Sequence, residues 1–290
     1  MQYKRALRYV LEELYGLVGK PVMDKLHELN IPEQSRIWWC PTSVFCSLPL
    51  HAMGPIPSKD KVKRYFSDIY ISSYTPTLSA LIKSREPSVQ TSDPLSLLVI
   101  APNDASLDGV GEEIEVIRHT LGSSIDIGIL DATPKITTES LRHHHLAHFA
   151  CHGVLEEGKP FDASFILYGR KRLTLLDIVR SRLPTTEFAF LSACHTAELT
   201  DGSIADEALH LTAAMQHCEF RSVIGTMWAM ADTDGCDVAE QFYKSMFSCG
   251  DESIPYYEWS AKALRDAVQK LRREKRVGLE RWVNFVHYGA

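Results

Sequence analysis

The stretch Phe188 to Thr196 reads Phe-Ala-Phe-Leu-Ser-Ala-Cys-His-Thr, and an earlier partner, Leu146 to Gly153, reads Leu-Ala-His-Phe-Ala-Cys-His-Gly. Each is a short run of apolar and small residues that ends in a reactive side chain, Cys194 in the first and His152 in the second. Such runs, bounded by turn signals, are typical of strands buried on both faces of a parallel sheet. Because the carboxyl ends of neighbouring parallel strands converge on one crevice, the pattern brings a cysteine and a histidine to the same edge.

A cysteine and a histidine at one sheet edge have the chemistry of a thiol hydrolase. The thiolate attacks, and a neighbouring imidazole lowers the thiol pKa and later gives a proton to the leaving amine. Gly153 has no side chain, so its backbone N–H can approach a substrate carbonyl, and the N–H of Cys194 is a second candidate oxyanion donor. The structural alternative is that Cys194 is a small buried apolar residue and His152 a hydrogen-bonded turn residue.

Strands and helices alternate around these two runs. Buried strands are predicted at Leu95 to Ile100 and Ile125 to Leu130, with a helix at Glu112 to Leu121 between them. Helices from Thr233 to Phe247 and from Glu258 to Arg272 follow the last predicted strand. This alternation is typical of right-handed crossovers in an α/β fold. The sequence therefore predicts an α/β/α sandwich, with a mostly parallel central sheet between two layers of helices.

Shorter segments carry separate predictions. Val44 to Leu48 is predicted as a strand, and the runs Ser164 to Tyr168 and Arg172 to Thr174 as the two arms of a hairpin. Thr174 is also predicted to cap the helix that follows. The residues from His195 to Ala205 have no apolar period, so we predict a mobile loop beside the site that orders around substrate.

The length of 290 residues allows one large α/β domain or two small ones. The segment Ser84 to Pro94 is rich in Ser, Thr and Pro and is predicted as a mobile connector. We place the boundary there, between an N-terminal lobe at 1–90 and a catalytic lobe at 91–290. The first lobe begins with an amphipathic helix from about Tyr3 to His27.

The composition excludes several classes of protein. A net charge of −6 and a pI near 6.1 argue against a nucleic-acid-binding surface, which usually carries a basic excess. The sequence has no apolar run of membrane-spanning length and no signal-peptide pattern, so we expect no membrane association. The seven cysteines are odd in number and include no C-x-x-C pair, which favours free thiols in a reducing compartment. We expect an intracellular, cytoplasmic protein.

The histidine-rich segment from His143 to His152 raises a metal site as an alternative. A zinc ion needs three or four ligands that converge tetrahedrally, whereas a strand sends successive side chains to opposite faces. His148 and His152 would share one face, and Cys151 would point to the other. No second pair of ligands at metal-binding spacing recurs in the sequence, so we expect no metal and interpret His148 as a hydrogen-bonded core residue.

Three motifs carry a resemblance to a known family. They are His-Phe-Ala-Cys-His-Gly at 148–153, Phe-Leu-Ser-Ala-Cys-His-Thr at 190–196 and Arg-Ser-Val-Ile-Gly-Thr-Met-Trp-Ala-Met-Ala-Asp at 221–232. In order and spacing they resemble the CHAT domain family, caspase-like cysteine proteases related to separase. The resemblance extends upstream to Ser47 and downstream to Phe285, so it covers nearly the whole chain.

The resemblance implies a caspase-like fold, a Cys194/His152 dyad and endopeptidase activity on protein substrates, with no metal or organic cofactor. It also implies a regulated protease in signalling, defence or programmed cell death. Such a protease is held inactive until an upstream repeat or sensor module, or a regulatory partner, acts on it. The alternative is a catalytically silent caspase-like scaffold, although both dyad positions are filled here.

The last motif continues to Gly235 and bears on substrate choice. Separase and its relatives, which this segment resembles, carry acidic residues here and accept a basic residue before the scissile bond. Asp232 and Asp234 are therefore candidate substrate-binding residues that would form a charge-assisted pair with an Arg or Lys at P1. Ala229 stands where separases tend to have another acid, and either aspartate also suits a helix N-cap. A basic P1 residue and an apolar or small one both stay open.

Overall fold

The computed structural model describes residues 2–56, 64–86, 94–102, 109–123, 125–154, 162–183, 185–192, 211–216, 218, 220–228, 230, 232–248 and 255–290. The strands are β1 (Arg36–Trp39), β2 (Ile71–Tyr74), β3 (Ser96–Ile100), β4 (Asp126–Leu130), β5 (Leu146–Phe149), β6 (Gly153–Val154), β7 (Ser164–Leu167), β8 (Lys171–Thr174), β9 (Phe188–Leu191), β10 (Ser222–Thr226) and β11 (Phe285–Gly289). The α-helices are α1 (Gln2–Leu14), α2 (Lys20–Glu28), α3 (Phe66–Ile69), α4 (Leu78–Ser84), α5 (Val110–Leu121), α6 (Pro134–Leu141), α7 (Leu175–Ser181), α8 (211–216), α9 (Asp232–Phe247), α10 (Tyr256–Glu274) and α11 (Leu279–Trp282). A π-helical turn, Tyr15–Gly19, joins α1 to α2.

The central sheet has eight strands in the order β1-β2-β11-β10-β9-β5-β3-β4. All neighbouring pairs are parallel except β10 and β11, which are antiparallel. Every residue of β3, β5, β9 and β10 is buried, as expected for parallel strands covered on both faces. The predicted α/β fold with a mostly parallel sheet is confirmed.

Helices cover both faces of this sheet. On one face, apolar residues of α5, α9 and α10 pack against strand positions such as Val99 and Phe190. On the other face, residues of α6, α7 and α8 pack against positions such as Leu98 and Leu191. Neighbouring strand residues belong to different cores because successive side chains of a strand point to opposite faces.

The predicted hairpin and its helix cap are confirmed. Strands β7 and β8 are antiparallel, and β6 joins them in a second, three-stranded sheet. The Thr174 hydroxyl accepts the backbone N–H of Asp177 at 3.1 Å, and the Asp177 carboxylate accepts the Thr174 N–H at 3.0 Å. This reciprocal capping box fixes the start of α7.

The strand predicted at Val44 to Leu48 is wrong, because Ser43–Ser47 form a 3-10 turn. Ser43 has a φ of 55°, which is incompatible with an extended strand. Val44 is 60% exposed and Phe45 is 41% exposed. Residues of this type favour strands when their side chains pack against neighbours, and these two side chains have little buried surface to pack against.

The N-terminal part of the chain contributes to the same sheet as the rest. β2 pairs with β11, with Tyr74 opposite Tyr288, and β1 pairs with β2 at the sheet edge. Residues 87–93 of the predicted connector lie outside the described residues. The division into lobes at 1–90 and 91–290 stays a prediction. Within the described ranges, no helix has the length and apolar character needed to cross a bilayer.

A histidine, His51, is buried in this half of the sheet. His51 lies between the Tyr74 hydroxyl, 2.8 Å from its Nδ1, and the Val283 carbonyl, 2.9 Å from its Nε2. Burial lowers the pKa of His51 to about 4, against the opposing effect of the hydrogen bond to Val283. Burial also lowers the pKa of His287, which bonds Ser222 and Ser260.

We expect the free energy of unfolding to fall as the pH drops from about 6.5 to about 4. In that window the unfolded chain protonates His51, whereas the folded chain keeps it neutral; the contribution is complete above about 6.5. The loss for this residue is roughly 3 kcal/mol. Urea denaturation at several pH values measures it, and His51→Gln should flatten the pH dependence. The exposed control His119→Gln should not, and equal slopes in the two variants would contradict the assignment.

Candidate active site

The two catalytic candidates follow neighbouring strands at the same level. β5 and β9 are adjacent and parallel, and Phe149 lies opposite Leu191 at the end of the paired stretch. His152 is the third residue after Phe149, and Cys194 is the third residue after Leu191. Because Phe149 and Leu191 are register partners, the two candidates stand the same number of residues past the paired ends of neighbouring strands. Cys194 itself, and the loop predicted at His195 to Ala205, lie outside the described residues.

His152 and Gly153 lie where the chain leaves the central sheet for the small antiparallel one. The Ile166 N–H donates to the His152 carbonyl at 2.8 Å, and Gly153 lies opposite Phe165. Antiparallel pairs alternate between hydrogen-bonded and non-hydrogen-bonded, so the Gly153–Phe165 pair is of the second kind. The Gly153 N–H is therefore directed away from β7. His152 is half-buried at this junction.

Cys151 differs from a nucleophile in its environment. Its side chain is 1% exposed and packs in the same core as Phe149, on the face opposite His148. Burial raises the pKa of the Cys151 thiol far above its usual range, which disfavours the thiolate. The Cys218 thiol is also buried, and it donates to the Ala214 carbonyl at 3.3 Å.

The histidine-rich segment is divided between the two ends of β5. His145 lies before the strand, with its Nδ1 3.3 Å from the Ser96 N–H. His148 is fully buried within it, and its Nδ1 is 2.9 Å from the Tyr243 hydroxyl, as expected for a hydrogen-bonded core histidine. His152 follows the strand. Across the part of the chain with described coordinates, no three His, Cys, Asp or Glu side chains converge as metal ligands.

The segment that follows β10 is held by Asn284, a residue to which the sequence analysis gave no role. Its Oδ1 accepts the Trp228 N–H at 2.8 Å, and its Nδ2 donates to the Trp228 carbonyl at 2.8 Å. The Asn284 carbonyl also accepts the Met227 N–H at 2.9 Å, and Asn284 is 1% exposed. Trp228 Nε1 donates to the Glu280 carbonyl at 3.0 Å. These bonds fix the chain at the point where it approaches the carboxyl edge of the sheet.

The two aspartates proposed to bind substrate have different surroundings. Asp234 is 1% exposed, and both its carboxylate oxygens accept from Arg281, Nε donating at 2.7 Å and Nη2 to the other oxygen. This bidentate pair raises the pKa of Arg281. Asp234 thus has a countercharge within the chain. Asp232 is the first residue of α9, and its side chain lies outside the described residues.

Gly235 allows the first turn of α9 to lie against the end of β9. A Cβ on Gly235 would stand 2.8 Å from Met230 Cε, 3.1 Å from Ser192 Oγ and 3.7 Å from Glu113 Oε1. The backbone of α9 therefore closely approaches Ser192, two residues before Cys194. Glu113 is a buried acid beside this point, with 5% exposure, and sequence analysis did not single it out. Only its place in the acidic first turn of α5 was visible.

Comparison with known proteins agrees with the fold described above. The family model described as CHAT domain matches residues 8–290, and no curated protein matches the sequence. Separase from the Saccharomyces cerevisiae separase–securin complex superposes with a TM-score of 0.50 and 14% identity, covering 79% of this chain and 14% of that one. The Arg-specific cysteine proteinase gingipain R superposes with a TM-score of 0.50 and 11% identity, covering 98% of this chain and 67% of that one. The caspase-like fold predicted from the sequence is confirmed.

Proposed function

Because the chain belongs to the CHAT domain family and has the fold of a cysteine protease, we propose that it is a cysteine endopeptidase acting through Cys194 and His152. The observation that carries the proposal is the register of β5 and β9. In the sequence each residue stands three positions after a member of the register pair Phe149–Leu191, which supports the proposal. A nucleophile and its base must lie within hydrogen-bond reach, and neighbouring strands lie about 4.8 Å apart.

In the proposed reaction, the Cys194 thiolate attacks the carbonyl carbon of a peptide bond while His152 carries the thiol proton. The tetrahedral intermediate collapses, the C–N bond breaks, and the His152 imidazolium gives its proton to the leaving amine. The thioester acyl-enzyme is then attacked by a water molecule that His152 deprotonates. A carboxylic acid is released, and the thiol is restored. This chemistry requires no metal or organic cofactor.

The oxyanion of the intermediate would be held by the backbone N–H groups of Gly153 and Cys194. The direction of the Gly153 N–H, away from β7, supports this assignment, since the pairing of the small sheet does not consume it. The absence of a side chain at Gly153 leaves room for the substrate carbonyl. A missing donor of this kind typically costs about 100- to 1,000-fold in kcat.

The proposed substrates are proteins, and the proposed setting is the cytoplasm, where free thiols stay reduced. The odd number of cysteines and the lack of a C-x-x-C pair support a reducing compartment. We further propose that activity is regulated by an upstream repeat or sensor module or another partner, in signalling, defence or programmed cell death. Separase, whose chain this one spans to only 14%, is seen with its partner securin.

A random peptide library with mass spectrometry of the products tests the proposal and identifies the substrate class. Cleavage by the wild-type chain, absent in a Cys194→Ala preparation made in parallel, is the expected result. A library left intact at high enzyme concentration, together with a Cys194 thiol no more reactive than the exposed Cys40, would instead favour a catalytically silent scaffold.

The specificity proposal now depends on Asp232, because Arg281 already neutralises Asp234. If Asp232 pairs with a P1 Arg or Lys, Asp232→Asn should lower kcat/KM on Arg substrates by about 10- to 100-fold, the worth of one charge-assisted hydrogen bond. The melting temperature should change little, because Asn also caps helices well. Asp237→Asn, which removes another charge from α9, is the matched control. If the wild-type chain cleaves only after apolar residues, the proposed pairing of Asp232 with a basic P1 residue is wrong. The proposed Cys194/His152 dyad would not be affected by that result.

A further inference from the structure

A chain of three buried polar side chains lies on the face of β5 that α5 and α9 cover. The His148 Nδ1 atom is 2.9 Å from the Tyr243 hydroxyl of α9, and its Nε2 atom is 3.2 Å from Glu113 Oε1 of α5. His148 and Tyr243 are fully buried, and Glu113 is 5% exposed. Glu113 Oε1 and His148 Nε2 are close to each other but do not have the angles of a good hydrogen bond. Among the described residues, neither of these two atoms has another hydrogen-bond partner.

One assignment of donors and acceptors links the three groups. When the Tyr243 hydroxyl donates to Nδ1 of His148, the neutral imidazole carries its proton on Nε2, which faces the Glu113 carboxylate. Burial, and then the charge of Glu113, raise the pKa of Tyr243, so its hydroxyl keeps its proton. The His148 ring also stacks on Phe190 of β9 at 4.9 Å, which fixes its plane.

Packing alone does not require polar groups at these positions. The sheet neighbours of His148 are Val99 and Phe190. An aliphatic side chain between them would have no polar group to remove from water on folding. Burying a carboxylate, an imidazole and a phenol costs free energy that good geometry only partly restores. In some proteins a buried polar group is retained because it holds the surrounding elements in one arrangement.

The chain joins the elements that carry the candidate active site. His148 lies in β5, four residues before His152, and Tyr243 lies in α9, which begins at Asp232. Glu113 Oε1 also lies 3.7 Å from the Cβ position of Gly235, a point that is 3.1 Å from Ser192 Oγ. Glu113 and Ser192 therefore both lie close to Gly235, at the first turn of α9.

We propose that Glu113, His148 and Tyr243 are positioning residues that hold the end of β5 against the Ser192 segment, and so keep His152 in register with Cys194. This inference rests on the proposed endopeptidase function. None of the three side chains needs to touch substrate. Their loss should therefore lower kcat and leave KM nearly unchanged, because misplacing catalytic groups by about 1 Å costs on the order of 100-fold.

The test compares two buried tyrosines that each bond a histidine. Tyr243→Phe removes the hydroxyl from the chain, and Tyr74→Phe removes the hydroxyl that faces His51 near the opposite edge of the sheet. Both should lower the melting temperature by similar amounts. Only Tyr243→Phe should lower kcat, by about 10- to 100-fold, with KM within twofold. Equal kcat in the two variants at matched stability would overturn the positioning role.

A second readout separates this inference from the proposed function. The rate at which iodoacetamide alkylates Cys194 does not depend on peptide cleavage, and it should fall about tenfold in Tyr243→Phe but not in Tyr74→Phe. If alkylation slows only in Tyr243→Phe but the wild-type chain cleaves no peptide, the protease proposal is refuted and the positioning role is retained. If the wild-type chain cleaves peptides but alkylation is unchanged in Tyr243→Phe, the positioning role is refuted and the protease proposal is retained. Should Tyr243→Phe fail to fold, Glu113→Gln, which keeps shape and removes charge, serves the same comparison.

Crowding at Gly235 provides an independent variant. Gly235→Ala places a methyl group 2.8 Å from Met230 Cε, the end of a flexible side chain, and 3.1 Å from Ser192 Oγ, which must give way by a few tenths of an ångström. We expect a loss of kcat at least as large as that of Tyr243→Phe. Gly111→Ala in α5 has nothing within 4 Å of the added methyl and is the control. Full activity in Gly235→Ala would show that the Ser192 segment tolerates displacement, against the proposal.

Discussion

Replacing either member of the dyad, Cys194→Ala or His152→Ala, is expected to reduce peptide cleavage by at least about 1,000-fold while the protein stays folded. The thiolate makes the covalent bond in the acyl-enzyme, and alanine cannot replace it. The imidazole both activates the thiol and protonates the leaving amine, so its loss affects both halves of the reaction. Single and double variants should lose about the same activity, because the two residues act as one unit.

The measurement is the initial rate on a peptide selected from the library, with circular dichroism as the test of folding. Cys40→Ala, which removes an exposed thiol, is the control and should keep full activity. Iodoacetamide should label Cys194 well before the other thiols of the wild-type chain, and more slowly in His152→Ala. Activity retained by Cys194→Ala would mean that another thiol is the nucleophile, with Cys151 the first to examine despite its burial.

Asn284→Ala is expected to have the second largest effect, on both stability and activity. It removes two hydrogen bonds and leaves the backbone N–H and carbonyl of Trp228 without their partner. Lost bonds and unsatisfied groups of this kind together cost roughly 2 to 4 kcal/mol of unfolding free energy. Because the freed segment leads from β10 to α9, kcat should also fall, by about 10- to 100-fold.

Urea denaturation and steady-state kinetics on the same preparations measure the two effects. Asn30→Ala, which removes a solvent-exposed asparagine side chain, should change unfolding free energy by no more than about 1 kcal/mol and leave kcat unaltered. An Asn284→Ala protein as active as wild type would show that the segment after β10 needs no such support. Lowered stability with unaltered kcat would confine the role of Asn284 to folding.

The fold was predictable because its signals are local. Apolar runs of strand length at Leu95 to Ile100 and around Phe190, with turn residues after them, indicate buried parallel strands whatever they pair with. The same patterns placed His152 and Cys194 just past two strand ends. Val44 to Leu48 shows the limit of this approach. Its residues favour strands, but the turn at Ser43 and the lack of a covering surface decide otherwise.

The sequence by itself determined the buried parallel strands at the centre of the sheet and the α/β class of the fold, because periodicity and turn chemistry act over a few neighbouring residues. Only the tertiary structure decided the partners of the buried polar groups. Asp234 finds Arg281, Trp228 finds Asn284, and His148 finds Tyr243 and Glu113, each far apart in the chain. Which of these groups meet depends on strand order and helix packing, which minimise the free energy of the whole chain. No local pattern records that choice, so the support of the site became visible only in the folded molecule.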